Sequence, residues 1–538
     1  MRDALTAEVL RNALVVAAEE ASIVVVRSAY STFIVEGSDA SAAILSADGR
    51  LIAQSMATTL MNSMALKIAL PEVLADIPDM RPGEVYVTND AYRGGVHTND
   101  LLVYRPVFID DAPAYFTATM IHVSDLGGLS AGGMAPLATD IFLEGLQLPP
   151  VRLDATVEAI LRANSRTPDK VMGDVRALVA GTAVAAQRLT DLIEEYGAAG
   201  LAAGIDDYLA YTEARTRAAL AELPPGTYTA TYEIDDDGIN LEKSHTIRVA
   251  VTLGQETLVD FTGTDPQVPA AINASASQSM AAAVFAVRCF IDPTIAMNEG
   301  CLSPITVHLP EGSLLNARSP YPCGGRFVPI YAAMEAIFQA MSDAIPSRAI
   351  APSGILQPFS IAAVGAPYWI HLSYDFGGVG ARQGLDGPDA TGVHFGIGRN
   401  SIPQVEPIET RCPLVVESIE VIPDSGGPGR FRGGLGTRTV YRFQADCHVT
   451  TRGDRLRQPP PGRDGGLPGR PGGFFRRHRD GTVERLPSKV NNALFQAGEA
   501  FIVETTGGAG LGIPSDRPRP EVEADLRAGK ITTPTPYT

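Results

Sequence analysis

Two histidines stand out because each lies three residues before an aspartate, with a glycine pair close by. His97 precedes Asp100, and His122 precedes Asp125. The chain has only eight histidines, so this repeated arrangement is notable. Imidazole nitrogens and carboxylate oxygens together are ligands for Zn, Mn, Fe or Co. The residue types and their spacing therefore predict a divalent-metal site.

A further acid, Asp39, lies just before a strand-like run, where packing gives no reason for a charge. No cysteine lies near these residues in the sequence, which argues against a structural zinc site. The competing interpretation is that His-x-x-Asp spacing occurs frequently by chance, and that such a pair most often holds a hydrogen-bonded core histidine or a helix cap. The repeat strengthens the metal interpretation, but spacing does not prove that the two histidines meet.

Apolar periodicity predicts the elements that position these side chains. We expect helices over 5–31 and 63–74, and strands over 42–46, 51–53, 84–88, 101–104 and 115–122. Both histidines then lie where a strand meets a glycine-containing loop, and such loops let the backbone approach a ligand closely. Residues 1–155 are thus predicted to form a metal-binding α/β domain.

The rest of the chain predicts three further units. We expect a helical segment over 156–225 that is broken near Pro168 and Gly197. A mixed α/β domain over 226–413 and a β-rich domain over 414–538, crowded with Gly, Pro and Arg, should follow. The tail after Pro514 is expected to be an extended arm. The predicted fold class is therefore α+β with several domains, as 538 residues require.

The composition excludes several classes of protein. Hydrophobic residues make up 45% of the chain and the formal net charge is −18. The negative field disfavours nonspecific nucleic-acid and anionic-membrane partners, and no apolar run reaches membrane-spanning length. The five cysteines are dispersed, which is typical of reduced thiols and predicts a cytoplasmic location.

Two late glycine-rich runs, 424–436 and 505–512, invite interpretation as phosphate loops. Neither contains Gly-Lys-Ser or Gly-Lys-Thr, so tight turns in a β-rich domain are favoured. Four arginines, however, could meet a phosphorylated substrate, because guanidinium groups bind phosphate with two hydrogen bonds. These are Arg430 and Arg432, with Arg452 and Arg455 further on. Surface ion pairing is the competing role.

The segments around the two histidines resemble a known family. Residues 89–100 and 122–128 are similar to the signature Asn-Asp-Pro-Tyr-x-Gly-Gly-Thr-His-x-x-Asp, then His-x-x-Asp-x-Gly-Gly, of the hydantoinase B/oxoprolinase family. Further landmarks keep the family order along nearly the whole chain. They include Glu144-Gly145-Leu146, Asn164-Ser165-Arg166, Asn298-Glu299-Gly300 and both late glycine-rich runs.

The resemblance implies a metal site built from Asp39, His97, Asp100 and His122, with Asp125 beside it. Asp125 or Asp100 would act as the general base. It also implies a separate A-type subunit that uses Mg-ATP to phosphorylate the carbonyl oxygen of a small cyclic amide. The present chain would be the hydrolytic B subunit of a hetero-oligomer.

Departures from the family pattern concern the substrate rather than these ligands. Leu60 stands where the family often has histidine, and Val35 where it usually has a basic residue. Two alternatives remain open. The chain could be a subunit of an ATP-dependent ketone carboxylase, which resembles the same family, or a scaffold subunit whose metal is structural.

Overall fold

The computed structural model describes residues 4–37, 40–55, 60–392 and 404–537. The N-terminal elements are α1 (Ala4–Ser28), α2 (Thr32–Gly37), β1 (Ala40–Ser46), β2 (Leu51–Gln54), α3 (Leu60–Asp76), β3 (Tyr86–Thr88), β4 (Asp100–Ile109), β5 (Ala112–His122) and β6 (Val151–Arg152). The six strands form one sheet in the order β2-β1-β5-β4-β3-β6. Every neighbouring pair is antiparallel.

The central part begins with three helices and continues with a second sheet. Its elements are α4 (Ala155–Ala163), α5 (Pro168–Tyr196), α6 (Ala198–Ala221), β7 (Gly226–Ile234), β8 (His245–Leu253), β9 (Thr257–Asp260), α7 (Ala276–Arg288), α8 (Glu299–Leu302), β10 (Ile305–His308) and α9 (Phe327–Ala344). The predicted helix breaks near Pro168 and Gly197 are confirmed. The second sheet has the order β10-β9-β8-β7, and only its β9–β10 pair is parallel.

The C-terminal part is rich in strands, as predicted. Its elements are β11 (Gln357–Ala363), β12 (Ile370–Asp375), α10 (Val405–Arg411), β13 (Leu414–Val421), β14 (Thr437–Phe443), β15 (Cys447–Arg452), β16 (Gly473–Arg477), β17 (Val483–Leu486), β18 (Lys489–Phe495), β19 (Ala500–Glu504) and α11 (Arg519–Arg527). They form two sheets, β12-β11-β15-β18 and β13-β14-β19-β16-β17. The α+β fold class with several units is thus confirmed.

Both faces of the N-terminal sheet are buried, which makes it a rigid base for a site. Leu101 and Val103 of β4 face one way and belong to a core with Val175 and Leu178 of α5. Their neighbours in β4 face the other way, toward α3, α7 and α9. This alternation follows from the two-residue period of a strand.

The two C-terminal sheets share an aromatic core. Phe359 of β11 lies 5.3 Å from Tyr441 and 5.4 Å from Phe501, measured between ring centroids. β11 pairs with β15, so this sheet joins residues from both sides of the boundary predicted at 413. The domain boundaries themselves stay a prediction.

The tail after Pro514 differs from the extended arm that the sequence predicts. It contains α11, and Val522 on this helix packs with Ile531 and Tyr537 in a small buried cluster. The reason is that α11 is amphipathic. Its apolar side is removed from water because the terminal segment folds back and packs against it.

Candidate metal centre

The register of the central strand pair brings two of the predicted ligands together. Asp100 is the first residue of β4 and His122 is the last of β5, and they are direct partners across the antiparallel pair. Directly paired residues project from the same face. The sheet therefore places the carboxylate beside the imidazole without any help from a flexible loop.

His97 joins them through the turn that precedes β4. The Asp100 N–H donates to the His97 carbonyl at 2.9 Å, which closes the turn. Asn89 holds the same loop from behind: its amide nitrogen donates to the Thr98 carbonyl, and its amide oxygen accepts from the Leu148 N–H at 2.6 Å. The position of His97 is thus fixed by hydrogen bonds to both sides of the loop.

The three side chains converge closely. Nε2 of His97 lies 3.1 Å from Nδ1 of His122 and 3.1 Å from Oδ2 of Asp100. Nδ1 of His122 lies 3.2 Å from Oδ1 of Asp100. His97 and Asp100 are buried, and 11% of the His122 side chain is exposed. Among the described residues, this trio is the one group of acids and histidines whose ligand atoms all lie within 4.8 Å of one another.

The convergence suits a divalent ion. Two nitrogens at about 2.0–2.1 Å from a tetrahedral ion would lie roughly 3.3 Å apart, close to the separation of the two imidazole nitrogens. Two neutral imidazoles and one carboxylate form a donor set that suits Zn, Mn, Fe or Co. The residues present therefore fit the metal that the sequence predicts.

The electrostatics keep His97 and Asp100 in the protonation states that metal binding requires. Burial, aided by the charge of Arg326, lowers the pKa of His97 to about 3, so its imidazole is neutral. Burial alone would raise the pKa of Asp100, but His97 and Arg326 outweigh it and hold that pKa well below its ordinary value. Arg326 donates to Oδ2 of Asp100 at 3.0 Å.

Asp39, the fourth predicted ligand, lies outside the described residues. Asp125 is described and fully buried, and both of its oxygens are occupied. It accepts from the N–H groups of Gly127, Gly132 and Arg166, and forms a 2.9 Å ion pair with the Arg166 side chain. These contacts favour a loop-organising role, and the general-base role of Asp125 stays a prediction.

Two of the four arginines predicted to meet a phosphorylated substrate, Arg430 and Arg432, have carboxylate partners. Arg432 is buried and lies 3.3 Å from both Asp389 and Asp525. Arg430 lies 3.4 Å from Glu521 and stacks on Phe431. Their positive charge is already matched locally, so their role in phosphate binding stays a prediction.

The late glycine-rich runs serve close backbone packing. A Cβ on Gly507 would lie 1.7 Å from the Ser425 carbonyl oxygen, and one on Gly378 would lie 1.9 Å from that of Gly434. No side chain fits between these segments. The interpretation as backbone turns in a β-rich domain is thus supported over that of phosphate loops.

A small cavity lies directly beside His122. Its volume is about 50 Å³, several times what one water molecule needs. N-terminal residues line one side and C-terminal residues the other. Its lining includes Ser31, His122, Lys170, Trp369, His371 and Arg411. The cavity combines apolar and cationic groups next to a candidate metal ligand, which is an arrangement suited to a small polar ring.

Comparison with known proteins agrees with the sequence landmarks. A model of the Hydantoinase B/oxoprolinase family matches residues 3–514. The chain belongs to this family. It is 30% identical over 476 residues to the caprolactamase subunit beta of Pseudomonas jessenii, a match that covers 84% of this chain and 81% of that protein.

Solved structures of the family's fold extend the comparison. The crystal structure of the ATP-dependent caprolactamase from Pseudomonas jessenii matches with a TM-score of 0.91 at 27% identity, covering 98% of this chain and 94% of that one. A nucleotide-free acetone carboxylase structure matches with a TM-score of 0.85 at 18% identity, covering 99% and 79%. The second likeness concerns the fold alone. Within the described part of the chain, we find no helix that is both long and apolar enough to cross a membrane.

Sequence reasoning gave no role to two charged residues near the trio, Arg326 and Glu144. Arg326 follows a Gly-Gly pair at the start of α9 and was not singled out. Glu144 lies in one family landmark, yet was not assigned a role. Its buried carboxylate accepts from the N–H groups of Gly324 and Cys323 at 2.5 and 3.1 Å, and burial raises its pKa to about 7. The glycine pair beside Arg326 was the available signal.

Proposed function

We propose that this chain is the hydrolytic B-type subunit of an ATP-dependent cyclic amide hydrolase. The observation that carries the proposal is the convergence of His97, Asp100 and His122 at the end of the β4–β5 pair, beside a small cavity. Membership of the family and the likeness to the caprolactamase structure support it. We infer a small lactam or hydantoin as substrate and the cytoplasm as location, where the five unpaired thiols would stay reduced.

In this proposal His97, Asp100 and His122 hold one divalent ion of the Zn, Mn, Fe and Co group. Such an ion lowers the pKa of bound water, to about 7 in favourable zinc sites, and so supplies a nucleophile near neutral pH. His97 and His122 offer neutral nitrogens, and Asp100 offers a carboxylate oxygen. Arg326 donates to Oδ2 of that carboxylate, the oxygen that also lies 3.1 Å from Nε2 of His97, and so holds its orientation.

The same residues define how substrate would approach. His122 lines the cavity, so a ring bound there lies against the exposed edge of the trio. Trp369 offers an apolar surface, and Lys170 and Arg411 offer positive charge near the cavity. Asp100 remains the candidate for accepting a proton from water, whereas the four bonds to Asp125 favour its positioning role.

A partner subunit is required by the chemistry. Resonance makes an unstrained amide a poor electrophile, and phosphorylation of the carbonyl oxygen would turn it into a reactive imidate with a good leaving group. The sequence has no Gly-Lys-Ser or Gly-Lys-Thr for a phosphate loop. The relative's name as subunit beta supports an A-type, ATP-binding partner for this chain.

Reconstitution tests the proposal. The chain is mixed with a hydantoinase A-type subunit and Mg-ATP, and then given caprolactam, hydantoin or 5-oxoproline. We expect ring-opened acid and phosphate release only when both subunits are present. The variant His97→Ala should be inactive, while His308→Ala should retain activity, since His308 is an exposed histidine paired with Asp260 at 2.8 Å. Strong ATP hydrolysis by this chain alone would contradict the division of labour.

A further inference from the structure

Two arginines next to the trio have cationic donors without acceptors. Arg452, at the end of β15, is only 4% exposed and donates to the Gly133 carbonyl at 2.7 Å. Its Nε–H has no hydrogen-bond partner among the described residues, and no described carboxylate pairs with it. Nε of Arg326 is likewise buried without a described partner. Buried cationic donors that lack an acceptor are costly.

The segment Gly324-Gly325-Arg326 brings these charges together. A Cβ on Gly324 would lie 2.5 Å from Oε1 of Glu144, and one on Gly325 would lie 3.7 Å from Cδ of Arg452. Gly324 thus leaves space for the Glu144 carboxylate. Gly325 leaves space for the Ala271 carbonyl oxygen, 2.0 Å from such a Cβ, and lies in ordinary van der Waals contact with Arg452, and the next residue binds Asp100. This small stretch of backbone therefore gathers Glu144, Arg452 and Arg326 at one place.

The same place adjoins the loop of the trio. The carbonyl that accepts from Arg452 belongs to Gly133, and a Cβ on Gly133 would lie 2.3 Å from Cγ of Asn99. Asn99 lies between His97 and Asp100 in the sequence. Arg452, from the C-terminal sheets, therefore binds a backbone segment that packs against Asn99, while Arg326, from the start of α9, binds Asp100 directly.

A helix N-terminus adds to the positive potential. The 18-residue helix α9 begins at Phe327, and Arg326 occupies the capping position without a side-chain cap. The first N–H groups of a helix carry partial positive charge and favour anions. At this end the Val328 N–H donates to the Gly325 carbonyl at 3.1 Å and Pro329 has no N–H, so the helix contributes through its dipole alone. The acids whose charges act on Arg452 are Glu144 and Asp100.

The charge state of this region also favours an added anion. Burial lowers the pKa of Arg452 to about 9, because its surroundings compensate the cation incompletely. Glu144, the acid that acts most strongly on Arg452, has its own pKa raised by burial to about 7. An anionic ligand would supply both the missing acceptors and the missing negative charge.

We propose that Arg452 and Arg326, beside the N-terminus of α9, form an oxyanion site that binds the phosphoryl group of the activated substrate. The assignment to a phosphorylated substrate rests on the proposed function, whereas the affinity for a phosphate-like anion does not. Arg452 is one of the four arginines that the sequence offers for phosphate, whereas Arg326 is not, and carboxylates already match the charge of Arg430 and Arg432. It would hold the phosphoryl group beside the carbon that is attacked.

Calorimetric titration with inorganic phosphate tests the site. It uses the chain as purified and again after metal removal, so that binding to an ion is separated from binding to the arginines. We expect millimolar or tighter binding in both forms, and a loss of roughly tenfold or more in Arg452→Met, as for a charged hydrogen bond. Arg452→Lys should recover part of the affinity, because it keeps the charge but not the two-pronged geometry.

Controls make each outcome decisive. Arg442→Met removes a partly exposed arginine on β14 that pairs with Glu417 at 2.8 Å, and should leave phosphate affinity unchanged. Thermal unfolding shows whether each variant is folded. Absence of phosphate binding in the unmodified chain would overturn the site, as would undiminished binding in folded Arg452→Met. Loss of binding in Arg430→Met alone would overturn the assignment and place the phosphate site at Arg430 and Arg432 instead.

The test also distinguishes this site from the proposed function. If phosphate binds through Arg452 but the reconstituted complex opens no lactam, the oxyanion site stands and the hydrolase proposal fails. If lactams are opened but phosphate affinity and the KM for lactam are both indifferent to Arg452→Met, the hydrolase proposal stands and the oxyanion site fails.

Discussion

Asp100 and His122 are direct partners across the β4–β5 pair, and their side chains approach to 3.2 Å at its end. Both strands lie in a sheet that is buried on both faces, so the separation of these two groups is fixed by backbone hydrogen bonds. His97 is added by a turn that is closed on Asp100 itself. The candidate site is thus preorganised by its scaffold, as a metal centre needs.

Metal content should depend on the trio. We expect about one divalent ion of the Zn, Mn, Fe and Co group per chain, measured by elemental analysis. His97→Ala and His122→Ala should each weaken metal affinity by roughly tenfold or more, because one ligand of a small set is lost. Circular dichroism should show that the fold survives.

The control for these variants is His308→Ala. His308 also contacts an aspartate, but its side chain is 56% exposed, and among the described residues no third acid, histidine or cysteine joins the pair. Its loss should not change the metal content. A protein that takes up none of these metals, or two ligand variants that bind as tightly as the unmodified chain, would contradict the metal centre.

The role of Asp125 can be tested through stability. Asp125→Asn keeps the shape of the side chain but removes the charge that pairs with Arg166. The amide also has a single oxygen, so it can accept hydrogen bonds on only one side. We expect a lower Tm, with a free-energy loss of about 1.5–3 kcal/mol for lost charged hydrogen bonds, because the Arg166 side chain is 29% exposed. Thermal unfolding with and without Arg166→Met would show non-additive losses if the two residues act together. Unchanged stability with abolished turnover would instead favour the general-base role.

Glu335 should make the free energy of unfolding decrease as the pH rises. It is buried in α9, accepts from the Ser353 N–H at 3.1 Å, and burial raises its pKa to about 8 from an ordinary 4.5. Between those values the unfolded chain releases the proton while the folded chain keeps it, so rising pH favours unfolding. Glu335→Gln should therefore gain at least about 1 kcal/mol more stability at pH 8 than at pH 5.

Denaturant unfolding at the two pH values measures this difference. Glu242→Gln is the matched control, because the Glu242 side chain is 96% exposed and should show no such pH dependence. Equal effects of Glu335→Gln at both pH values would mean that the carboxyl ionises normally inside the fold.

Isotope labelling separates hydrolysis from carboxylation. The reconstituted complex is fed a lactam in labelled water, with and without bicarbonate, and the product acid is analysed by mass spectrometry. We expect oxygen from water in the acid and no need for bicarbonate, since hydroxide attacks an activated carbon in hydrolysis. Turnover of ketones that requires bicarbonate, with no lactam opened, would instead assign the carboxylase alternative. The acetone carboxylase likeness concerns the fold and does not decide this point.

Local sequence signals predicted much of the scaffold. The helix break at Pro168 follows from its fixed φ and missing N–H, which suit the start of a helix, and the break at Gly197 follows from its positive φ. The end of the strand at His122 agrees with the glycine-rich loop that follows it. The tail was predicted less well, because the cluster of Val522, Ile531 and Tyr537 depends on a return of the chain that no local pattern announces.

The sequence by itself determined the family, the fold class and the residue types of the candidate site, because long motifs in a fixed order and a repeated His-x-x-Asp are local features. Only the tertiary structure decided which of those groups meet. The strand register places Asp100 beside His122, and packing of the loop pairs Asp125 with Arg166. The tertiary structure also brought Arg452 from the C-terminal sheets to Arg326 at the start of α9. Contacts between residues far apart in the chain depend on packing and on burial of charge, and spacing along the sequence carries neither.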